Sequence, residues 1–171
     1  TLAFDWNTDT QTYLTYAQGF KSGGFNSRHL RPSADLRAIA YQPEYVAQTE
    51  IGLKHTNPNN TLRLNTAFFY SDYDDIQIST NPNSTQTATI TQNAAKASIS
   101  GLELEFALAP SAQWLIEANA GYLDARYDKL DDQVTINPNN DFAWTPKWSG
   151  SVSVSFNHRL KDHSTLFTRI G

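Results

Sequence analysis

The chain has 171 residues, of which 39% are hydrophobic and 18% charged, with a formal net charge of -4 at pH 7. This acidic balance excludes the concentrated basic surface that a nucleic-acid partner requires, and the absence of cysteine excludes disulfides and thiolate metal sites. A mean hydropathy of -0.51 without a long apolar run excludes a transmembrane helix, but it leaves open a transmembrane barrel, whose lumen-facing residues are polar.

The first half of the chain alternates extended segments with polar connections. Period-two alternation of side chains predicts strands at residues 2–6, 11–20, 41–54 and 61–78. Short turns rich in Asn, Asp, Thr and Pro separate the first pair at 7–10 and the second pair at 55–60. Longer polar segments at 21–40 and 79–93 are predicted to be loops.

The segment 100–127 predicts one complete hairpin. On its first arm Leu102 and Leu104 alternate with Glu103 and Glu105, so one side of the strand is apolar and the other carries carboxylates. A turn is expected at 109–112, around Pro110, and the alternation resumes on the second arm. A third long loop at 128–142, a strand at 148–160, a turn at 161–164 and a strand at 165–170 complete the chain.

The order of the connections favours an outer-membrane barrel, because short turns alternate strictly with long loops. Aromatic residues near the strand ends are typical of membrane interfaces, and five are predicted to lie there: Tyr45, Tyr70, Trp114, Tyr122 and Trp148. The alternation predicts a lipid-facing set of Leu102, Leu104, Phe106, Ile116, Ala118, Val152 and Val154. It predicts a lumen-facing polar set of Glu50, Lys54, Arg63, Glu103, Glu105 and Glu117.

No residue pattern predicts catalysis. Glu103 and Glu105 could form the carboxylate pair of a glycosidase, but the same residues suit a polar lumen. Asp72, Asp74 and Asp75 suggest a calcium loop, but Gln77 occupies the position of its glycine. We therefore expect neither an enzyme, nor a metal site, nor a cofactor.

Several stretches resemble one known family along nearly the whole chain. The run 16–26, Tyr-Ala-Gln-Gly-Phe-Lys-Ser-Gly-Gly-Phe-Asn, is similar to the Gly-Phe-Lys-x-Gly-Gly-Phe stretch of TonB-dependent outer-membrane receptors. The run 101–105, Gly-Leu-Glu-Leu-Glu, resembles that family's Gly-Val-Glu-Leu-Glu strand. Further matches follow in order at 43–44, 50–54, 69–70, 75–77, 93–94, 121–125 and 146–148.

The resemblance implies an all-β, antiparallel transmembrane barrel of about 22 strands, plugged by an N-terminal domain, in the outer membrane of a Gram-negative bacterium. It also implies uptake of a scarce nutrient, such as a ferric siderophore or cobalamin, with energy relayed through TonB. The expected partners are outer-membrane lipid, lipopolysaccharide, the plug of the same protein and TonB. The chain has neither a plug nor the final aromatic-ended strand, so we expect residues 1–171 to be about eight strands from the C-terminal half of such a barrel.

Two alternatives remain open at this stage. A complete eight-stranded outer-membrane barrel, acting as an adhesin or a pore, would also fit the strand count. A soluble all-β binding module would show the same alternation.

The first long loop is the expected ligand-binding segment, on the premise that the family captures substrates with its external loops. It carries Lys21, Arg28, Arg31 and Arg37 against a single acid, Asp35. Arginine can bind carboxylate or catecholate oxygens through paired donors, so this loop suits an anionic iron chelate. The alternative is a solvated loop that contacts only water or anionic lipopolysaccharide.

Overall fold

The computed structural model describes residues 1–26, 40–80, 90–130, 142, 145–161 and 164–171. In chain order the strands are β1 (Leu2–Asp5), β2 (Thr10–Lys21), β3 (Gly24–Phe25), β4 (Ala40–Tyr41), β5 (Glu44–Thr56), β6 (Leu62–Thr80), β7 (Ile90–Ser111), β8 (Trp114–Leu130), β9 (Trp148–Arg159) and β10 (Thr165–Ile170). The described residues contain no helix with the length and apolarity needed to cross a bilayer.

Eight of these strands form one antiparallel sheet in the order β1-β2-β5-β6-β7-β8-β9-β10. Each strand in this order pairs with its predecessor among them, which is the up-and-down connectivity predicted from the alternating connections. The remaining two strands, β3 and β4, pair only with each other and form a separate short ribbon. Within the described strands, β1 and β10 lie at opposite edges of the sheet and are not paired with each other.

Four predicted connections are wrong in their bounds. In the segment 21–40, Lys21 ends β2, Gly24–Phe25 form β3 and Ala40 begins β4, and in the segment 128–142 β8 continues to Leu130. The segment 79–93 is not a loop at either end, because β6 continues to Thr80 and β7 already begins at Ile90. Polar side chains there do not prevent pairing, since the ladder is formed by backbone groups. The turn expected at 109–112 lies at 112–113 instead, and Pro110 belongs to β7. It falls within a register irregularity between Leu108 and Ser111, where the ladder needs no donor from proline.

The short turns all lie at one end of the sheet, which we call the turn end, and the other end is the loop end. The second turn shows how its sequence fixes its shape: the Asn57 side-chain oxygen accepts hydrogen bonds from Thr61 N at 2.8 Å and Leu62 N at 2.9 Å. Asn60 adopts a positive φ of 55°, which asparagine tolerates better than most residues.

The strands β6 and β7 have 19 and 22 residues. A bilayer requires about 9–11 residues of tilted strand, so both extend well beyond one crossing.

The sheet is a single layer whose large apolar side chains remain uncovered. Among the described residues the buried apolar side chains are three alanines, Ala94, Ala95 and Ala97. By contrast, Ile51 is 56% exposed, Leu102 49% and Val152 61%. A soluble domain would bury such residues in a core. The apolar face of this sheet therefore needs a cover of another kind, such as lipid.

Candidate functional site

Directly paired residues of an antiparallel sheet point to the same side, so the register assigns every side chain to one of two faces. One face, which we call the polar face, carries, together with other charged residues, the six charged residues predicted to share a face: Glu50, Lys54, Arg63, Glu103, Glu105 and Glu117. The opposite, apolar face carries the rows of leucine, isoleucine, valine and phenylalanine. Charged residues that are far apart in the sequence thus lie together on the polar face.

The Glu50 carboxylate is the centre of the first cluster on this face. Tyr13 Oη donates a hydrogen bond to Glu50 Oε1 at 2.7 Å, and Gln48 Nε2 donates to Glu50 Oε2 at 3.3 Å. Ser71 Oγ in turn donates to Gln48 Oε1 at 3.0 Å. The Lys54 ammonium lies 5.2 Å from the centre of the Tyr13 ring, which is cation–π distance. The cluster links β2, β5 and β6 through polar side chains.

A second cluster surrounds Glu117 nearer the turn end. Arg169 Nη2 lies 3.3 Å from Glu117 Oε2 and donates to Ser153 Oγ at 3.0 Å, so β8, β9 and β10 are joined. Arg169 was not among the residues predicted to line a lumen. The signal was present, because Arg169 alternates with Thr168 and Ile170 on the last strand and so falls on the face opposite to Ile170. Both side chains are partly exposed, so the pair adds little stability by itself.

An open depression of about 420 Å³ lies on the polar face and includes the second cluster in its lining. Its charged lining comes from Arg63, Glu105, Glu117 and Arg169, two cations and two anions. Asn65 Nδ2 donates to Glu105 Oε2 at 3.0 Å from the neighbouring strand. The depression can therefore offer both donors and acceptors to a polar partner.

The apolar face is bounded by aromatic residues towards both ends. Towards the loop end, Tyr122 and Trp148 have ring centres 4.8 Å apart. Towards the turn end, Trp114 and Phe156 have ring centres 4.6 Å apart. Tyr45 and Tyr70, also predicted for the membrane interface, lie on this face nearer the loop end and are 52% and 47% exposed.

Beyond Tyr122 towards the loop end, the apolar face becomes charged. Lys96 forms an ion pair with Asp74, and Arg126 pairs with Asp124 at 2.5 Å. The hydrogen bond and the charge of Asp74 raise the pKa of Lys96, and Asp124 raises the pKa of Arg126 in the same way. These cations stay protonated at neutral pH. The surface suited to lipid therefore ends near the aromatic residues.

The predicted ligand-binding residues fall in two parts of the chain. Lys21 is the last residue of β2 and pairs with Glu44 at the start of β5, at the loop end of the sheet. Arg28, Arg31 and Arg37 lie outside the described residues. Throughout the described ranges, no group of three or more His, Cys, Asp or Glu residues could hold a metal ion.

Comparison with known proteins assigns the family. Residues 1–169 match the family model described as TonB dependent receptor-like, beta-barrel. Over 113 residues the chain is 34% identical to the pesticin receptor of Yersinia enterocolitica, an alignment that covers 65% of this chain and 16% of that protein. The pesticin receptor of Yersinia pestis matches over the same length with the same identity.

Solved structures show the same fold. The ferric yersiniabactin uptake receptor FyuA from Yersinia pestis superposes with a TM-score of 0.73 at 23% identity, covering 98% of this chain and 23% of that one. The siderophore receptor PiuA from Acinetobacter baumannii gives a TM-score of 0.67 at 20% identity over 90% of this chain and 22% of that one. The chain thus spans about a fifth of the length of these relatives. It belongs to the TonB-dependent receptors of the Gram-negative outer membrane and forms part of their β-barrel.

Proposed function

We propose that this chain is part of an outer-membrane receptor that takes up a scarce nutrient, with a ferric siderophore as the substrate class and TonB as the source of energy. The family consists of transporters rather than enzymes, and two of the similar solved structures are described as a ferric yersiniabactin uptake receptor and a siderophore receptor. Within that family, residues 1–171 correspond to strands from the C-terminal half of the barrel, and the plug is a separate domain of the full-length receptor.

The observation that carries the proposal is the division of one single-layer sheet into a charged face and an uncovered apolar face. In a closed barrel the apolar face lies against lipid and the polar face lines the lumen. Glu50, Lys54, Arg63, Glu103, Glu105 and Glu117 then line the path between the loop end and the turn end. A lumen with both charges suits a receptor that must contact a polar plug and pass a hydrophilic chelate. The uncovered apolar face also speaks against the soluble binding module.

The aromatic residues complete the membrane assignment. Tyr45, Tyr70, Tyr122 and Trp148 form the belt at the outer interface, and Trp114 belongs to the inner one. Amphipathic rings are favoured at both boundaries between lipid and water. The ion-paired residues beyond the outer belt then lie at the level of the lipopolysaccharide head groups. A complete eight-stranded barrel remains the weaker alternative, because it requires pairing between β1 and β10.

Uptake by the full-length receptor tests the proposed substrate class. The receptor is expressed in a strain that lacks its own siderophore receptors, and uptake of iron supplied as ferric yersiniabactin is measured with and without a functional TonB. We expect saturable uptake that requires TonB. Failure to transport ferric yersiniabactin and the other ferric siderophores tested, with the receptor at normal abundance in the outer membrane, would refute the proposed substrate class.

The loop-end cations are the proposed landing site for an anionic chelate. Replacing Arg28, Arg31 and Arg37 together by Gln removes three positive charges without large changes in size. We expect weaker uptake with a smaller dependence on salt concentration, because less of the attraction is electrostatic. Arg126→Gln is a control, since it removes a cation that lies on the apolar face and is already paired with Asp124. Unchanged uptake by the triple variant at normal abundance would leave these residues as solvated surface.

A further inference from the structure

The polar-face side of the loop end carries the short β3–β4 ribbon, whose attachment is unusual. The register between β6 and β7 is irregular between Tyr73 and Gln77. Within this irregularity Asp75 adopts a positive φ of 55°, a backbone conformation that few residues other than glycine accept. The two shifts of this irregularity cancel, so Gln77 pairs with Asn93 in the same register as Tyr73 with Ala97. Gln77 is thus the first residue of β6 at which the regular pairing resumes.

The Gln77 side chain is bound to the segments at both ends of the ribbon. Its Nε2 donates to Ser22 O at 2.9 Å and Gln42 O at 3.1 Å, with Lys21 O at 3.4 Å. Its backbone N–H donates to Glu44 Oε2 at 2.9 Å. One side-chain amide therefore holds the chain just before β3 and just after β4.

Two asparagines complete the attachment by acting as substitutes for a strand partner. Asn93 Oδ1 accepts from Gln42 N at 2.6 Å while its Nδ2 donates to Gln42 O at 2.9 Å. Asn26 Oδ1 accepts from Thr91 N at 2.8 Å while its Nδ2 donates to Thr91 O at 2.8 Å. In each case one side-chain amide satisfies both backbone groups of one residue. Gln42 directly follows the two-residue strand β4, and its backbone groups would otherwise have to bond water.

The two sides of the ribbon lie too close together at Tyr41 for residues larger than glycine at positions 23 and 24. A Cβ at Gly23 would lie 2.4 Å from the backbone oxygen of Tyr41, and a Cβ at Gly24 would lie 2.6 Å from Tyr41 Oη. The two glycines of the Gly-Gly-Phe stretch thus allow β4 to pack against the segment that leads into β3. Phe25 remains 60% exposed on the ribbon formed in this way.

We infer that Gln77 and Asn93 are positioning residues for ligand capture, because they clamp the β3–β4 ribbon onto the polar-face side of the sheet at the loop end. The inference rests on the proposed function, since that end is where the ligand enters. The clamp orders the ribbon before ligand arrives, so binding need not supply the free energy of ordering it. Its loss is expected to weaken capture of the ligand without slowing the transport of ligand already bound.

Hydrogen–deuterium exchange on the full-length receptor in phospholipid nanodiscs tests the clamp without any ligand. The variant Gln77→Glu keeps the size of the side chain but sets a carboxylate against the Ser22 and Gln42 carbonyls. Asn93→Asp on β7 sets a carboxylate against the Gln42 and Asp75 carbonyls and is used where Gln77→Glu does not reach the membrane. Gln92→Glu is the control, because it introduces the same charge on the neighbouring residue, whose side chain alternates to the other side of β7.

We expect amides in 22–26 and 40–43 to exchange roughly tenfold faster or more in the clamp variants, as local opening becomes easier. Exchange in 101–108 and in the Gln92→Glu receptor should stay at the wild-type rate. With ferric yersiniabactin as the transported probe, the half-saturation concentration should rise roughly fivefold while the maximal rate remains unchanged.

Three results would overturn the inference. The first is exchange at the wild-type rate in 22–26 and 40–43 of the clamp variants, and the second is faster exchange throughout the barrel in both of them. The third is an unchanged half-saturation concentration in a variant whose ribbon exchanges faster. A wild-type receptor that does not transport ferric yersiniabactin would instead contradict the proposed substrate. The exchange comparison would then still decide whether the clamp exists.

Discussion

An arginine at Val152 tests the assignment of the apolar face to lipid. Val152 lies midway along β9 between Trp148 and Phe156, four residues from each. At about 3.3 Å per residue it is about 13 Å along the strand from either aromatic residue, or about 10 Å in height for a strand tilted by about 40°. Val152→Arg therefore sets a charge near the midplane. We expect the free energy of unfolding to fall by roughly 2–4 kcal/mol.

The matched control is Ser151→Arg, which sets the same side chain on the adjacent residue and the opposite face, next to Asn119. There the guanidinium can remain hydrated, so we expect a loss below about 1 kcal/mol. Both variants of the full-length receptor are folded into phospholipid vesicles and unfolded with guanidinium chloride, with tryptophan fluorescence as the signal. Equal losses for the two variants, or a larger loss for Ser151→Arg, would refute the assignment of the two faces.

Two further predictions concern the polar face and the ribbon. Glu117→Gln should lower stability by less than about 1 kcal/mol, because its pairing with Arg169 is partly exposed, and a larger loss by guanidinium titration would show that the pair is buried in the full receptor. Gly23→Ala should displace the Tyr41 backbone and speed hydrogen exchange in 22–26 and 40–43. Gly19→Ala is its control, since a Cβ there meets only Val46 at 3.4 Å; equal exchange in the two variants would contradict this steric account.

Local sequence patterns predicted the eight strands of the large sheet because alternation is a local property, whereas β3 lies inside the predicted loop 21–40. In 100–127, the residues Leu102 and Glu103 could be assigned to opposite faces before any partner strand was known, since successive strand side chains always point to opposite sides. The turn expected at 55–60 lies at 57–61, and it was predictable because asparagine bonds to its own neighbouring backbone. Family membership followed from short motifs spread over nearly the whole chain, in the same order as in the family.

The sequence alone could not determine where pairing continues through polar residues. The segments 79–80 and 90–93 have the composition of a loop, but backbone pairing does not depend on side-chain polarity, so β6 and β7 extend into them. Composition also gave the wrong prediction of a turn at Pro110. The strand β7 can contain this proline because the hydrogen-bond ladder is irregular there, and only the pairing with the neighbouring strand shows that irregularity.

Sequence by itself thus determined the strand periodicity, the two faces and the family, all of which depend on neighbours along the chain. Tertiary structure decided which distant residues meet: Tyr13 with Glu50, Arg169 with Glu117, and Gln77 with the carbonyls of Ser22 and Gln42. The physical reason is register. Each contact depends on the alignment of separate strands and, for Gln77, on the position of the β3–β4 ribbon, and neither is encoded in a local pattern.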